Sequence, residues 1–313
     1  MPDDQQVSLI EYLPAVRGEL TAEAPVARFT WFKTGGPAEV LFRPADEVDL
    51  ACFLAGTPSD VSITVIGNAS NLLVRDGGID GVVIKLGRAF RGIRVDGLNV
   101  LAGAAAADLN VARRAREAGI TGLEFLAGVP GTLGGGVLMN AGAYGAEISD
   151  VFVEAQVLGR DGATRTLGWD DMGFSYRHSA LGDGDIIVST HLRGQAGDTA
   201  KIAGLIEEIQ RERETTQPVR TLTGGSTFKN PEDHKAWELI DAAGCRGLRR
   251  GAAVVSQQHC NFLINEGGAS AADLEGLGEE VRRRVQAHSG IVLEWEIRGI
   301  GKPVQTAPEE VTS

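Results

Sequence analysis

The segment of residues 126–145 (LAGVPGTLGGGVLMNAGAYG) has the most unusual composition in the chain, with seven glycines among twenty residues. Each glycine in regular structure costs roughly 0.5–1 kcal/mol relative to alanine, so a fold tolerates this density where a ligand must lie against bare backbone. The segment lacks the GK[ST] of a P-loop, and the dinucleotide fingerprint GxGxxG does not fit it. A glycine-packed helix crossing is the alternative, and we favour ligand contact.

A second glycine-containing turn, Gly67-Asn-Ala-Ser-Asn71, follows an apolar run that ends at Ile66. Consecutive backbone N–H groups in such a turn can form an anion-binding nest, which would suit a pyrophosphate. By themselves, these residues are better explained by an ordinary turn between two strands.

Two polar segments could carry acid–base or electrostatic chemistry. Phe174–Ser179 places Tyr176 and Arg177 beside two hydroxyl groups, although a solvated loop would have the same composition. Thr223–Pro231 contains Gly224-Gly225 before Ser226, and two glycines allow a turn that projects the hydroxyl. No triad spacing and no GxSxG elbow surround Ser226, so it is not an obvious nucleophile, although a hydroxyl near a developing carbanion could act as a general acid.

The last candidates are a C-terminal apolar run and an arginine cluster. Alternation over residues 291–298 predicts a strand with Glu294 and Glu296 on its polar side. That pattern by itself is more typical of an exposed face than of catalysis. Arg246, Arg249 and Arg250 could bind phosphate through bidentate contacts, or form a basic surface loop.

The elements that must position these residues indicate an α+β fold. Strands are predicted within 62–66, 81–86, 98–101, 151–158 and 185–192, and helices near 46–55, 106–118 and 198–213. Asp198 is a candidate N-cap, and the apolar stripe of the third helix is Ile202, Leu205, Ile206 and Ile209. A second unit after Pro218 contains helices at 234–243 and 271–288 and strands at 252–255 and 261–265. Ser270 and Asp273 predict a capping box at the start of the longer helix, and its apolar stripe is Leu274, Leu277, Val281 and Val285.

Composition excludes several classes of protein. The formal net charge of −12 argues against a general nucleic-acid binder, which needs a basic face. Three distant cysteines without a CxxC pair predict neither a disulfide framework nor a metal site. The acidic N-terminus is not a signal peptide, and no apolar run is long enough to span a membrane. We therefore expect a cytoplasmic protein.

Taken together, six segments resemble the UDP-N-acetylenolpyruvoylglucosamine reductase family, in family order over about residues 29–301. They are Thr30–Pro37, Gly67–Leu73, Gly128–Gly145, Tyr176–Ser179, Gly225–Pro231 and Glu296–Arg298. The short interval between Tyr176 and Ser226 is similar to the shorter of the family's two subtypes, which lacks an inserted substrate-binding loop.

The resemblance implies an FAD-binding fold of the vanillyl-alcohol-oxidase (PCMH) type with a smaller C-terminal α+β substrate domain. The corresponding domains are an N-terminal segment 1–28, an FAD-binding domain of two lobes 29–196, a substrate domain 215–302 and a flexible tail 303–313. No histidine lies within 67–78, so FAD is expected to be non-covalent. NADPH would be the hydride donor, and the protein is expected to act as a monomer.

The resemblance also assigns roles to residues. Catalytic roles fall on Arg177 toward the substrate carboxylate, on Glu296 toward the same developing charge, and on Ser226 as proton donor. Substrate contacts fall on Tyr176, Lys229 and Asn230, and the cluster above adds Arg246 and Arg249. Cofactor contacts are expected at Gly67, Asn68, Ala69, Ser70, Asn71, Leu72, Gly128, Pro130, Gly131, Thr132, Gly134, Gly135, Asn140, Gly142, Ala143 and Tyr144.

The implied reaction passes a hydride from NADPH through the flavin to the enolpyruvyl double bond of a UDP-sugar, which leaves enolate-like charge that needs electrostatic stabilisation. Two other functions remain open at this point. A sugar or lactone oxidase of the same fold would share the first two glycine segments. A non-catalytic nucleotide-sugar binding protein would bind without turnover.

Overall fold

The computed structural model describes residues 8–304. The first seven residues of the predicted N-terminal segment, and residues 305–313 of the predicted tail, lie outside the described residues. The chain forms two compact units. In the described part, the first unit comprises residues 8–22, 40–68 and 81–216, and the second comprises residues 23–39, 69–80 and 217–304. The domain boundaries taken from the sequence remain a proposal.

Both units combine helices and strands, which confirms the α+β class. The helices are α1 Glu47–Gly56, α2 Asp108–Glu117, α3 Leu133–Leu138, α4 Thr199–Thr216, α5 Ala236–Ala242 and α6 Ala271–Ser289. The strands are β1 Glu19–Ala24, β2 Ala38–Arg43, β3 Ile63–Val65, β4 Leu72–Val74, β5 Ile79–Ile84, β6 Ile93–Asp96, β7 Asn99–Gly103, β8 Ile120–Thr121, β9 Gly142–Ala143, β10 Ala146–Glu147, β11 Phe152–Leu158, β12 Thr164–Gly168, β13 Ile186–Arg193, β14 Gln195–Ala196, β15 Leu222–Thr223, β16 Arg249–Arg250, β17 Ala253–Val255, β18 Leu263–Asn265 and β19 Arg298–Ile300.

The first unit is built on a five-stranded antiparallel sheet of order β12-β11-β13-β7-β6. A second sheet has the order β1-β2-β5-β3, and in it β3 runs parallel to β5. The core of the unit contains the apolar faces of α1, α2 and α4. As predicted, Ile202, Ile206 and Ile209 of α4 are buried, and the Asp198 side chain accepts the N–H of Lys201 at 2.9 Å.

The prediction for Leu205 was wrong, since it is 47% exposed. Leu205 lies at the edge of the apolar stripe, and the three isoleucines occupy the part of the helix that faces the core, so the leucine side chain faces solvent. Residues 9–20 of the N-terminal segment pack on the same core. Asp49 at the start of α1 holds this segment through the backbone N–H groups of Arg17 and Gly18, at 2.7 and 2.9 Å.

The second unit contains an antiparallel sheet of order β15-β18-β17-β16, which packs against α6, and α5 packs against α6. The predicted start of α6 is confirmed, because Ser270 and Asp273 form both hydrogen bonds of a capping box. Its predicted stripe is buried: Leu274, Leu277, Val281 and Val285. The parallel pair β4 and β19 completes the unit.

The strand predicted over 291–298 was wrong. Only an isolated bridge from Trp295 to Phe228 forms there, and the strand β19 begins at Arg298. Leu293 and Ile297 are nevertheless buried, while Glu294 is exposed. An extended chain alternates its side chains whether or not a neighbouring strand pairs with it, so alternation alone did not reveal the missing ladder.

No helix within residues 8–304 is long and apolar enough to cross a membrane. The described histidine, cysteine, aspartate and glutamate side chains also form no group of three that could hold a metal ion.

Candidate active site

The two glycine segments of the sequence meet in the first unit. The Asn68 side-chain amide donates to the carbonyl of Gly131 at 3.1 Å. A Cβ atom added to Gly67 would lie 2.3 Å from Oγ1 of Thr132, so the two backbones approach more closely than any larger residue permits. The glycine at 67 is therefore required by contact with the second segment and not by turn geometry.

The second glycine segment is held by a backbone ladder to residues 104–108. Leu133 donates its N–H to the carbonyl of Ala106 at 2.9 Å, and Gly134 donates to the carbonyl of Ala104 at 2.9 Å. A Cβ at Gly134 would lie 2.8 Å from the Cβ of Ala104. Glycine here lets α3 begin directly on the end of the five-stranded sheet.

These segments line one cleft of about 640 Å³, part of which is open to solvent. Five of the predicted cofactor residues lie along it: Gly67, Asn68, Thr132, Gly134 and Gly135. The sequence did not identify the rest of the lining, which includes Lys85, Leu86, Arg91, Leu181, Asp185 and Ile186. Lys85 donates from Nζ to the carbonyl of Gly67 at 2.5 Å.

Other predicted cofactor residues have clear structural contacts. Gly128 is buried under the ring of Tyr144, whose Cε2 would lie 2.5 Å from an added Cβ. Asn140 is fully buried, and its amide donates to Glu147 and to the carbonyl of Ser175 at 2.8 and 3.1 Å. These contacts fix the turn that carries Gly142 to Tyr144.

Arg177 lies beside that turn. Its Nη2 donates to the carbonyl of Gly142 at 2.9 Å, and its guanidinium lies 4.9 Å from the ring centroid of Tyr176. The backbone of Arg177 has φ +56°, a conformation that non-glycine residues rarely adopt. Two residues later, the Ser179 Oγ donates to the carbonyl of Leu138 at 2.8 Å, which anchors the end of this segment.

Ser226 and Glu296 belong to the second unit, where they occupy adjacent extended segments. Glu296 donates its N–H to the carbonyl of Thr227, the residue after Ser226, at 2.9 Å. The predicted turn before the serine is present, with Gly225 at φ +80°. Both Ser226 and Glu296 are half-buried.

Asn71 supports this arrangement, although the sequence suggested a cofactor contact for it. Its side-chain amide donates to the carbonyl of Glu296 at 3.0 Å, and its own carbonyl accepts the N–H of Arg298 at 3.0 Å. Its neighbours Ala69, Ser70 and Leu72 also belong to the second unit.

The predicted substrate residues of the second unit have partners of their own. The Lys229 ammonium lies 3.5 Å from the carboxylate of Glu294, and Asn230 accepts the N–H of Ala236 at the start of α5. The other two predicted substrate residues form bidentate ion pairs, Arg246 with Asp241 and Arg249 with Glu266. A phosphate would have to compete with these carboxylates.

Comparison with known proteins covers nearly the whole chain. Residues 38–168 match the FAD binding domain family, and residues 217–300 match the C-terminal domain of UDP-N-acetylenolpyruvoylglucosamine reductase. The UDP-N-acetylenolpyruvoylglucosamine reductase of Parvibaculum lavamentivorans is 58% identical over 301 residues, which is 96% of this chain and 97% of that protein. The chain belongs to the UDP-N-acetylenolpyruvoylglucosamine reductase family.

Other members of the reductase family agree with this assignment. The protein of the same name from Azorhizobium caulinodans is 56% identical over 296 residues, covering 95% of this chain and 96% of that protein. The crystal structure of the UDP-N-acetylenolpyruvylglucosamine reductase of Thermus caldophilus aligns with a TM-score of 0.78 at 33% identity, over 92% of this chain and 100% of that one. The resemblance read from six short motifs, and the FAD-binding fold it implied, are confirmed.

The cleft of the first unit fits the cofactor of a reductase of this family. The matched FAD binding domain includes the glycine turn at 67, the segment 132–135 and both cleft cations, Lys85 and Arg91. The glycines at 67 and 134 let the walls of this cleft approach each other, because a Cβ there would meet Thr132 at 2.3 Å and Ala104 at 2.8 Å. The non-covalent attachment of FAD remains a prediction.

Proposed function

We propose that this protein is an NADPH-dependent FAD enzyme that reduces the enolpyruvyl group of UDP-N-acetylglucosamine-enolpyruvate to give UDP-N-acetylmuramate, a precursor of peptidoglycan. The observation that carries the proposal is the pairing of the Ser226 and Glu296 segments within residues that match the C-terminal domain of the reductase. An oxidase that shared only the FAD-binding fold would have no reason to contain this pair.

Bound FAD would supply hydride transfer between NADPH and the substrate double bond. The residues of the chain must then stabilise the negative charge that develops at the neighbouring carbon and its carboxylate. We assign Arg177 to the substrate carboxylate, since a guanidinium binds carboxylates in a bidentate manner. We assign Glu296 to the same developing charge and Ser226 to the delivery of the proton.

The local structure supports these roles through preorganisation. Arg177 is held by the carbonyl of Gly142, and the backbone of Glu296 is fixed by Asn71 and Thr227. Groups that are already oriented need little rearrangement when charge develops, and that is the main source of electrostatic catalysis. A serine hydroxyl is a weak acid, but it can protonate a carbanion-like centre because that centre is a strong base.

The substitution Ser226→Ala tests the assignment by separating the two half-reactions. Reduction of the flavin by NADPH should keep its wild-type rate, because no proton from Ser226 is needed there. Reoxidation by the enolpyruvyl sugar nucleotide should slow by about 10²- to 10⁴-fold. Ser59→Ala, at an exposed serine in the first unit, is the matched control. A wild-type reoxidation rate in Ser226→Ala would remove the serine from the mechanism.

We also propose that the enzyme acts as a monomer in the cytoplasm. Its acidic charge and its three unpaired cysteines support an intracellular location. Light scattering of the purified protein measures the oligomeric state. The mass of a dimer at micromolar concentration would contradict the proposal that the enzyme is a monomer.

A further inference from the structure

Three residues with left-handed backbone lie in one part of the first unit. Asn140, Tyr144 and Arg177 have φ values of +41°, +55° and +56°. Such a conformation persists in a non-glycine residue when the surrounding structure imposes it. Asparagine tolerates it better than most residues, whereas arginine has no such preference. The contacts around Arg177 must therefore hold its backbone in place.

Arg177 occupies a tight turn. The backbones of Ser175 and His178 exchange two hydrogen bonds of 3.1 Å, which leaves Tyr176 and Arg177 as the two central residues. A left-handed residue at the second central position of a turn is normally glycine or asparagine. With arginine at that position, the turn depends on bonds to residues outside it.

Asn140 provides one of these bonds at the base of the turn. Its side-chain amide donates to the carbonyl of Ser175 at 3.1 Å, the same carbonyl that accepts the N–H of His178. The amide also donates to Glu147 at 2.8 Å, and its oxygen accepts the N–H of Ser149 at 3.0 Å. Because Asn140 is fully buried, these three bonds fix its side chain in a single orientation.

Glu147 connects the same network to the guanidinium of Arg177. It pairs with Gly142 in the antiparallel ladder of β10 and β9, and the Gly142 carbonyl accepts Nη2 of Arg177 at 2.9 Å. The Glu147 carboxylate accepts the Asn140 amide and the Ser149 hydroxyl, the latter at 2.7 Å. The backbone and the guanidinium of Arg177 are thus both attached to the Asn140–Glu147 pair.

We propose that the Asn140–Glu147 pair positions Arg177 for the carboxylate of the substrate, and that Asn140 acts through Arg177 and not as a cofactor contact. Asn140 has no exposed surface, so its side chain cannot touch a ligand directly. The proposal rests on the proposed function, because it takes Arg177 as the residue that binds the substrate carboxylate.

The substitution Asn140→Asp tests the proposal in the full-length holoenzyme. It preserves size and the tolerance for left-handed backbone, but it turns an acceptor toward the Glu147 carboxylate and the Ser175 carbonyl. The dissociation constant of the enolpyruvyl sugar nucleotide, measured by calorimetry, should rise about 10- to 100-fold through loss of one charge-assisted bond. UDP-N-acetylglucosamine lacks the enolpyruvyl carboxylate, so its dissociation constant should not change. A general distortion of the protein would weaken both ligands together.

A double-variant cycle shows whether Asn140 acts through Arg177. In an Arg177→Gln background, Asn140→Asp should cause no further loss of affinity for the enolpyruvyl sugar nucleotide. Addition of Glu147→Gln to Asn140→Asp places an amide donor opposite the new carboxylate and should recover part of the affinity. Asn110→Asp makes the same chemical change at an exposed asparagine of α2 and is the control.

Flavin content and thermal unfolding show whether Asn140→Asp folds. If it does not, Asn140→Gly serves as the second variant, because glycine also tolerates this backbone and buries no charge, and the same selective loss is expected. Wild-type affinity for the enolpyruvyl sugar nucleotide in a folded variant, or equal losses for both sugar nucleotides, would overturn the proposal. Weaker flavin binding with unchanged substrate affinity would return Asn140 to the cofactor site. Wild-type substrate affinity in Arg177→Gln would instead refute the role given to Arg177 in the proposed function, and the positioning proposal with it.

Discussion

The substitution Gly67→Ala tests whether the two glycine segments form one cofactor site. The added methyl group would lie 2.3 Å from Oγ1 of Thr132, about 1 Å closer than an ordinary van der Waals contact. Thr132 is buried and β-branched, so its side chain has little freedom to rotate away. The glycine segment must therefore move, and overpacking of this kind costs about 1–3 kcal/mol.

We expect that cost to appear mainly as weaker FAD binding, because Thr132, Gly134 and Gly135 line the cleft that would shift. A loss of 1–3 kcal/mol corresponds to a dissociation constant raised about 5- to 150-fold. Quenching of flavin fluorescence measures the constant, and thermal unfolding of the flavin-free protein measures any separate loss of stability.

A second substitution makes the test specific. In Gly67→Ala with Thr132→Ala, the clashing hydroxyl is gone and the nearest remaining Thr132 atom, its Cβ, would lie 3.5 Å from the new methyl group, so affinity should recover. Gly204→Ala is the control, because this glycine is exposed within α4 and its added Cβ meets nothing within 4 Å. It should stabilise the protein by up to about 1 kcal/mol. Gly67→Ala with unchanged FAD affinity, or a double variant no better than the single one, would refute the reasoning.

Three further substitutions have expected outcomes. Asp108, the first residue of α2, is fully buried, and burial raises its pKa well above the usual value. The folded protein therefore binds a proton that the unfolded chain releases at a pH of about 4, so wild-type stability falls as the pH rises above that value. Asp108→Asn removes that dependence and should raise the unfolding midpoint at pH 8 but not at pH 4; equal midpoints at pH 8 would contradict this. Burial opposes ionisation of Asp49 most strongly, but three backbone N–H donors outweigh it and lower its pKa. Asp49→Asn should therefore lower the free energy of unfolding in urea by about 1.5–3 kcal/mol at pH 7, and by less as the pH falls below about 4. An unchanged free energy of unfolding at pH 7 would show that these bonds contribute nothing. Ser270→Ala removes the N-cap of α6 and should cost about 1 kcal/mol in the same assay, whereas an unchanged midpoint would mean that the cap is replaced.

Much of the fold was predictable where local signals agreed with each other. In α6, a capping box and a helical stripe specify the same helix, and the structure has it at Ala271–Ser289. The predicted strand at 291–298 had only alternation in its favour. Whether an extended segment joins a sheet depends on a partner strand, and residues 291–297 form only the isolated bridge between Trp295 and Phe228.

The candidate site divides in the same way. Glycine density at 126–145 and the turn residues at 67–71 pointed to two segments that the structure brings together at Gly67 and Thr132. Such close backbone contact requires glycine, so it is visible in the composition. No sequence pattern of this kind singled out Lys85 and Arg91. A single lysine after an apolar strand looks like any surface residue, and only the folded sheet brings it across to the turn at 67.

The central claim is tested most directly by the visible spectrum of the purified protein under anaerobic conditions. We expect a flavin band that bleaches on addition of NADPH and returns when the enolpyruvyl sugar nucleotide is added. A band that only oxygen restores would contradict the assigned substrate while leaving the FAD-binding fold in place. A protein that neither carries nor binds flavin would contradict the account as a whole.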